Sequence, residues 1–365
     1  MYDLIVIGGG PAGTSAAITC ARAGARVLLF ERGRFPRHKV CGEFVSAESL
    51  DLLVDLLAPR YARLFADAVR IPRARVFLDG RAIATPVDPP AASIPRLDFD
   101  DALWDSAEQC GVDGRQQVVV QGISGTGPFL VKTSGGTFAC RALINASGRW
   151  SNLSPAPVDA QNPGVKWLGL KGHFAESSPA TSVDLYFFDG GYCGVQPVNT
   201  RDGAAPSARV NACAMVRADV ASTLPEVFLR HAALRERSRA WKPLSDPVST
   251  SPLVFRKPQA ERDGILMAGD AAAFVDPFVG DGISLALRSG SLAGQCLQPF
   301  FAGKISLPEA ARGYCGLYER RLAPVFRTSS KIRRMLSWPQ SLRAPLLRLL
   351  EKTPRITGYL VSKTR

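Results

Sequence analysis

The chain has 365 residues, is 46% hydrophobic and carries a formal charge of +13, enough to bury a large core in one large or two intimately joined domains. No apolar run approaches the ~20 residues of a membrane span, and Met1 leads straight into a strand pattern, so neither a spanning segment nor a secretory leader is expected. The eight cysteines form no CxxC pair, and the three histidines fit no metal or Ser/His/Asp spacing, so metal and hydrolytic chemistry are set aside and a reduced, cytoplasmic protein is expected.

Met1 to Ile7 is a short apolar run rich in β-branched residues. It stops at Gly8-Gly9-Gly10-Pro11-Ala12-Gly13, where a small-residue helical pattern begins. Gly8 suits a tight turn, Gly10 a close approach of backbone to a pyrophosphate, and Gly13 a helix packed closely on the strand. A second strand, Ala25 to Phe30, ends in Glu31, where an acid can accept hydrogen bonds from an adenosine ribose. Strand, glycines, helix, strand and terminal acid in register predict a dinucleotide site, with phosphates at the helix N-terminus.

Residues 32–44 fit no period and read as a loop with four cations in eight residues (Arg32, Arg34, Arg37, Lys39), then Cys41 and Gly42. At the carboxyl end of the second strand, such a loop lies at the mouth of the nucleotide site. Ser46 to Leu57 reads as a helix with Ser46 as cap and Ser49 as a second possible cap, and Val69 to Leu78 with Arg81 to Thr85 as a hairpin around Asp79-Gly80. The four-proline stretch Pro86 to Pro95 reads as a return segment to a helix that starts near Arg96, capped by Asp98 or Asp100. Gln116 to Ile123 and Phe129 to Thr133 form a second hairpin pattern. Phe138 to Asn145 is a strand ending at Ala146-Ser147-Gly148-Arg149-Trp150-Ser151. Residues 165–216 are strand-rich, and Pro225 to Arg239 is helical.

Gly264 to Ala268 is a last short strand. It runs into Gly269-Asp270, and Asp276-Pro277-Phe278-Val279-Gly280-Asp281-Gly282-Ile283 opens a long helix. Asp270 can bind sugar hydroxyls, and the amides near Gly282 and Ile283 can support an anion. Helices fill Leu307 to Trp338 and Pro339 to Lys352. The expected class is α/β: a Rossmann-type domain (1–72, 94–164, 255–300), an inserted β-rich substrate domain (73–93, 165–254) and basic C-terminal helices (301–365). From Arg327 onward there are ten Lys or Arg against Glu351, so +9 of the +13 sits in the tail. Cations mixed with Leu, Ile and Trp suit an anionic membrane surface better than a nucleic-acid groove, and no nucleic acid is expected as a partner. A solvated helical face is the plainer reading.

These residues together resemble FAD-dependent oxidoreductases of the para-hydroxybenzoate hydroxylase-like fold, and within it the geranylgeranyl reductase branch. The resemblance implies that Gly8, Gly10, Pro11, Ala12, Gly13 and Glu31 hold the ADP half of FAD, with Arg32, Arg37, Lys39, Cys41, Gly42 and Arg96 around the cofactor. It further implies that Gly269 and Asp270 bind its ribityl or pyrophosphate side, and that Pro277, Gly280, Asp281, Gly282 and Ile283 lie at the isoalloxazine. Pro36 to Glu43 is similar to that branch's Cys-Gly loop, which gives Cys41 a catalytic place beside the flavin, its thiolate favoured if Arg37 and Lys39 point inward. Tyr192, Gln196 and Pro197 resemble its substrate-side strand, with Gln196 where an aromatic is common. Ser147 stands where hydroxylases carry an Asp, and the Trp-x-Trp-x-Ile-Pro signature of halogenases is absent.

Three activities remain open on this reading. The first is reduction or dehydrogenation of a carbon-carbon bond in an apolar small molecule. The second is hydroxylation of an aromatic or polyketide-like compound, and the third is non-catalytic flavin binding or electron relay. NAD(P)H would visit transiently or a partner reductase would supply electrons, because only one dinucleotide fold is present. The oligomeric state is not readable.

Overall fold

The computed structural model describes residues 1–149, 153, 166–199, 208–251, 253 and 255–353. Trp150, Ser151, most of the connection up to 165 and the tail beyond 353, all included in the readings above, lie outside the described residues.

Two sheets organise the chain. In the first, Tyr2–Ile7 lies between Val27–Glu31 and Gly136–Asn145, all parallel. Asp113–Gln116 and Ile265–Met267 extend it in parallel on either side. Leu4, Ile5 and Val6 are fully buried, as expected of a strand covered on both faces. Helices Pro11–Arg22 and Gly282–Phe301 pack against each other over this sheet, joined where Ser15 Oγ donates to the Leu287 carbonyl at 2.8 Å. The second sheet runs, in order, Lys242–Pro243, Trp167–Ala175, Arg209–Arg217, Gly191–Pro197, Val183–Phe188, Val69–Leu78, Arg81–Ser93, Phe44–Val45. Among the described residues its one parallel contact is Val183–Phe188 on Val69–Leu78.

Several expectations need correction. The proline-rich stretch is not a return loop, because strand Arg81–Ser93 runs through Pro86, Pro89 and Pro90. Its pairing with Val69–Leu78 jumps from Arg73–Pro86 to Ile71–Ala91. The resulting bulge takes up residues 87–90, where prolines have no ladder amide to supply. The second sheet therefore takes in all of Val69–Leu78 and also Phe44–Val45, rather than beginning at 73. Gln116 closes a strand of the first sheet, and the hairpin partner of Phe129–Thr133 is Val120–Ser124. Pro225 to Arg239 is two short helices, Leu224–Phe228 and Ala232–Arg237, followed by one 3-10 turn.

Helix Arg96–Gln109 is capped by neither Asp98 nor Asp100. Pro95 stands at the cap position, and the Arg96 amide donates to Glu43 Oε1 at 2.8 Å. Asp100 is instead committed to the Arg96 guanidinium at 2.7 Å on both oxygens. Ser46 precedes its helix as expected, but its hydroxyl donates to Asp281 and accepts from none of the helix amides.

The last helices, Leu307–Arg321, Ala323–Leu336 and Gln340–Lys352, close the molecule. The final one docks on the Asp79-Gly80 hairpin, whose two turn residues take positive φ (52° and 73°) as a type I′ turn requires. Arg343 holds both oxygens of Asp79 at 2.7 and 2.8 Å, and Leu347 is buried against Leu78 and Ile83.

Candidate active site

The two crossed helices place their N-termini side by side. They pack this closely because the later helix is glycine where it meets the earlier one: a Cβ at Gly290 would overlap the Ala12 carbonyl, and one at Gly294 would press on Thr19. At the start of the first helix, Gly8 turns at φ +106°, and a Cβ on Gly13 would overlap the Gly8 carbonyl. Neither helix has a side-chain cap at its N-terminus. Their first amides are left for whatever lies in the cleft lined by Gly10, Pro11, Ala12, Gly280, Gly282 and Ile283. Two positive helix ends converging on one cleft make a site for an anion.

The cationic loop closes one side of this cleft through Lys39, Val40, Cys41, Gly42 and Glu43. Glu43 is fully buried and held at φ 60°, a conformation that costs energy for a non-glycine residue and is kept by its surroundings. Its carboxylate bonds to Lys171 Nζ, to His173 Nε2 at 2.8 Å and to the Arg96 amide. Burial alone would raise its pKa, but the Lys171 charge and the His173 hydrogen bond outweigh it and bring it down to about 2. Lys171 and His173 belong to the second sheet and Arg96 begins a helix on the first, so this one carboxylate ties the loop to both layers.

Cys41 is fixed by the same cluster. Its carbonyl accepts from Asn211 Nδ2 at 3.0 Å, and its sulfur accepts from the Glu43 amide at 3.3 Å. The cation beside the sulfur is Arg96. Arg37, expected there, turns away to pair with Glu31 at 3.2 Å and to cover Phe35. Lys39 does line the cleft, and burial together with the Arg96 charge drives its ammonium down to about 8.

Across the cleft, Arg149 Nε lies 3.5 Å from Asp270 Oδ2 with its guanidinium 4.2 Å over Phe274. Its Nη1 is buried without a hydrogen-bond partner. An orphaned cationic donor and two uncapped helix starts around one cleft fit a bound pyrophosphate and an anionic ring system. Arg149 was missed as a site residue because it follows a small-residue turn without a periodic signal.

Of the residues expected at the cofactor, Gly10, Pro11, Ala12, Lys39, Cys41, Gly42, Arg96, Gly269, Asp270, Pro277, Gly280, Gly282 and Ile283 line this cleft. Gly8 and Gly13 act from beneath, by permitting the turn. Glu31 stands at the strand end, accepting from Gly9 N at 2.9 Å and Gly33 N at 2.8 Å. Arg32 is exposed and, like Arg37, is not part of the cleft wall. Asp281 is buried behind the helix start against Ser46, and burial raises it to about 6.

Beyond the cleft lies a second cavity of about 280 Å³. It shares Gly42, Phe44, Tyr192, Cys213, Pro277 and Gly280 with the cleft, so the two meet along the loop and the second helix start. One wall is the second sheet, through Val76, Ile83, Leu185 and Phe187. The other is the C-terminal helices, through Ile332, Met335, Leu336, Leu346 and Leu347. Its few polar groups include Thr85 Oγ1 and Gln196 Oε1, both buried and unpaired; Gln196 Nε2 is fixed on Ser93 at 2.6 Å. Tyr192 thus stands at the junction and Gln196 in the cavity, whereas Pro197 lines neither, being paired in the sheet with Val210.

Residues 3–36 match the family described as FAD dependent oxidoreductase. The match spans the first strand, the glycine turn, the first helix and the second strand. The chain is 26% identical to the menaquinone reductase of Mycobacterium tuberculosis over 93% of this chain and 85% of that one. It is 25% identical to digeranylgeranylglycerophospholipid reductase 2 of Methanopyrus kandleri, over 92% and 87%. Its fold superposes on a geranylgeranyl bacteriochlorophyll reductase-like protein of Thermoplasma acidophilum with a TM-score of 0.76 at 20% identity, covering 100% of this chain and 95% of the other. Among the described residues, no helix is long and apolar enough to cross a membrane.

Proposed function

We propose that this oxidoreductase reduces a carbon-carbon double bond in an apolar, isoprenoid-like small molecule. The observation that carries the reading is the apolar cavity that opens directly onto the flavin cleft beside Tyr192 and Gly280. The two relatives named as reductases, of menaquinone and of digeranylgeranylglycerophospholipid, support it.

FAD, when bound, supplies the two-electron chemistry. This chain's residues hold and frame it. The two helix N-termini and Arg149 offset its negative charge, and Asp270 is placed for its hydroxyl side. Leu185, Phe187, Ile332 and Leu346 exclude water and align an extended apolar substrate toward the cleft. Reduction of a double bond also needs a proton, and Lys39 Nζ, on the cleft wall with its pKa near 8, holds one that is exchangeable close to neutrality. Cys41, held by Asn211 and Glu43, presents its sulfur from the same side.

The electron donor in this reading is NAD(P)H or a partner reductase. We place the protein in the cytoplasm and at the surface of an anionic membrane. Trp338, Leu342 and Leu349 remain exposed on the outer side of helices whose inner side lines the cavity, and each nearby Lys or Arg adds about 1 kcal/mol of attraction to an anionic leaflet. Salt-sensitive co-sedimentation with anionic liposomes, weakened by Trp338→Glu/Leu342→Glu, is the expected result. Failure of the wild type to co-sediment at low ionic strength removes the membrane from the scheme.

The test of the activity is an anaerobic single turnover. Pre-reduced, FAD-loaded protein mixed with polyprenyl substrates should be reoxidised with one double bond saturated per flavin. Reoxidation that requires oxygen and yields a hydroxylated product would replace this reading with monooxygenation, and none with any acceptor would leave electron relay.

A further inference from the structure

On the other side of Phe274 and Val275 from the flavin cleft lies a further concavity, of about 520 Å³. Arg256 and Lys257 form one lip. Helix Ala323–Leu336 forms the other and turns Arg327, Lys331 and Arg334 toward it, with Arg333 deeper in the wall. Positions 327, 331 and 334 are spaced to share a helix face, and Ser330 adds a hydroxyl between them. The one carboxylate among the described lining residues is Asp276, which is buried, lies 3.3 Å from Arg333 and has no hydrogen-bond partner on either oxygen. Arg333 is also held 4.1 Å over Phe255, and Arg327 shares its charge with Glu319 at the rim. Lys257, Lys331 and Arg334 are exposed, so the pocket keeps a positive excess over the one carboxylate among its described lining residues.

We infer that this pocket binds phosphate esters. Guanidinium forks match phosphate oxygens in pairs, lysines add point charge and a hydroxyl completes a common donor set. The position favours the pyrophosphate of a nicotinamide dinucleotide. Resting on the reductase reading above, the flavin must be reloaded with electrons after each turnover, and Phe274 and Val275 are walls of both the cleft and this pocket. A dinucleotide anchored here needs no second dinucleotide-binding domain. The same chemistry also suits a phospholipid headgroup.

The experiment uses the FAD-loaded full-length protein and inorganic pyrophosphate as the probe, by titration calorimetry at low ionic strength. Wild type should bind saturably. Lys331→Glu/Arg334→Glu on one lip and Arg256→Ala/Lys257→Ala on the other should each weaken binding by at least about tenfold. Retained flavin absorbance in the same samples separates loss of this pocket from a failure of the flavin reading. Two further arms name the source. If the variants slow flavin reduction by NADPH or NADH and pyrophosphate competes with it, the ligand is the dinucleotide; if they lose only binding to phosphatidylglycerol vesicles, it is a lipid headgroup. Pyrophosphate that does not saturate, or that binds both variants as tightly as wild type, overturns the site.

Discussion

The flavin cleft and the apolar cavity share a border but are built in opposite ways. The cleft is made of backbone: helix starts, glycines and a turn, with a few cations fixed by buried ion pairs. The cavity is made of side chains, contributed by a sheet and by helices more than a hundred residues away in sequence. Backbone donors bind any ligand with the right charge in the right place, whereas an apolar wall selects by shape. On the proposed function, the division gives chemistry to one region and choice of substrate to the other, and it can be broken from either side.

The largest effect is expected at the helix crossing. Gly290→Val puts side-chain atoms into the Ala12 carbonyl and costs at least the upper part of the ~1–3 kcal/mol typical of overpacking. It should yield protein without bound FAD, read directly from the absorbance spectrum.

Next is the ion cluster. Lys171→Met leaves Glu43 buried without its main countercharge and should cost ~3–5 kcal/mol of unfolding free energy, measured by denaturant titration. The pH dependence is specific. Because the Glu43 pKa is lowered in the fold, its stabilisation is present above its ordinary value of 4.5 and is lost as pH falls toward about 2. The gap between wild type and variant should therefore close across that window.

Two smaller effects separate chemistry from selection. Lys39→Met should lower the single-turnover rate by about a hundredfold, with FAD retained. In wild type the rate should fall above pH about 8 as Lys39 loses its proton, and the variant should lack that limb. Leu185→Trp should fill the cavity and lower kcat/KM about tenfold for long substrates while leaving flavin reduction intact.

The cleft was the more legible region because its parts are local in sequence. Gly8 to Gly13 and Gly269 to Ile283 each carry their own geometric requirement, and the strand before each one announces the turn. What stayed hidden depended on partners far along the chain. Nothing near Glu43 says that Lys171 and His173 will meet it, and nothing near Asp100 says that Arg96 will take its carboxylate. Pro86 to Ser93 was hidden for a different reason. Prolines argue against a central strand, and only a bulge reconciles them with one. The amphipathic C-terminal helices were read from their charge, but Ile332, Met335, Leu336, Leu346 and Leu347 turn inward to the cavity or hairpin.

The Asp79–Arg343 pair has a further consequence. The pair fastens the cavity's outer wall at the hairpin tip, and neither Asp79 nor Arg343 lines the cleft between the two helix starts. Sequence drift at that clasp can reposition the wall and change which molecules fit while every residue facing the flavin stays as it is.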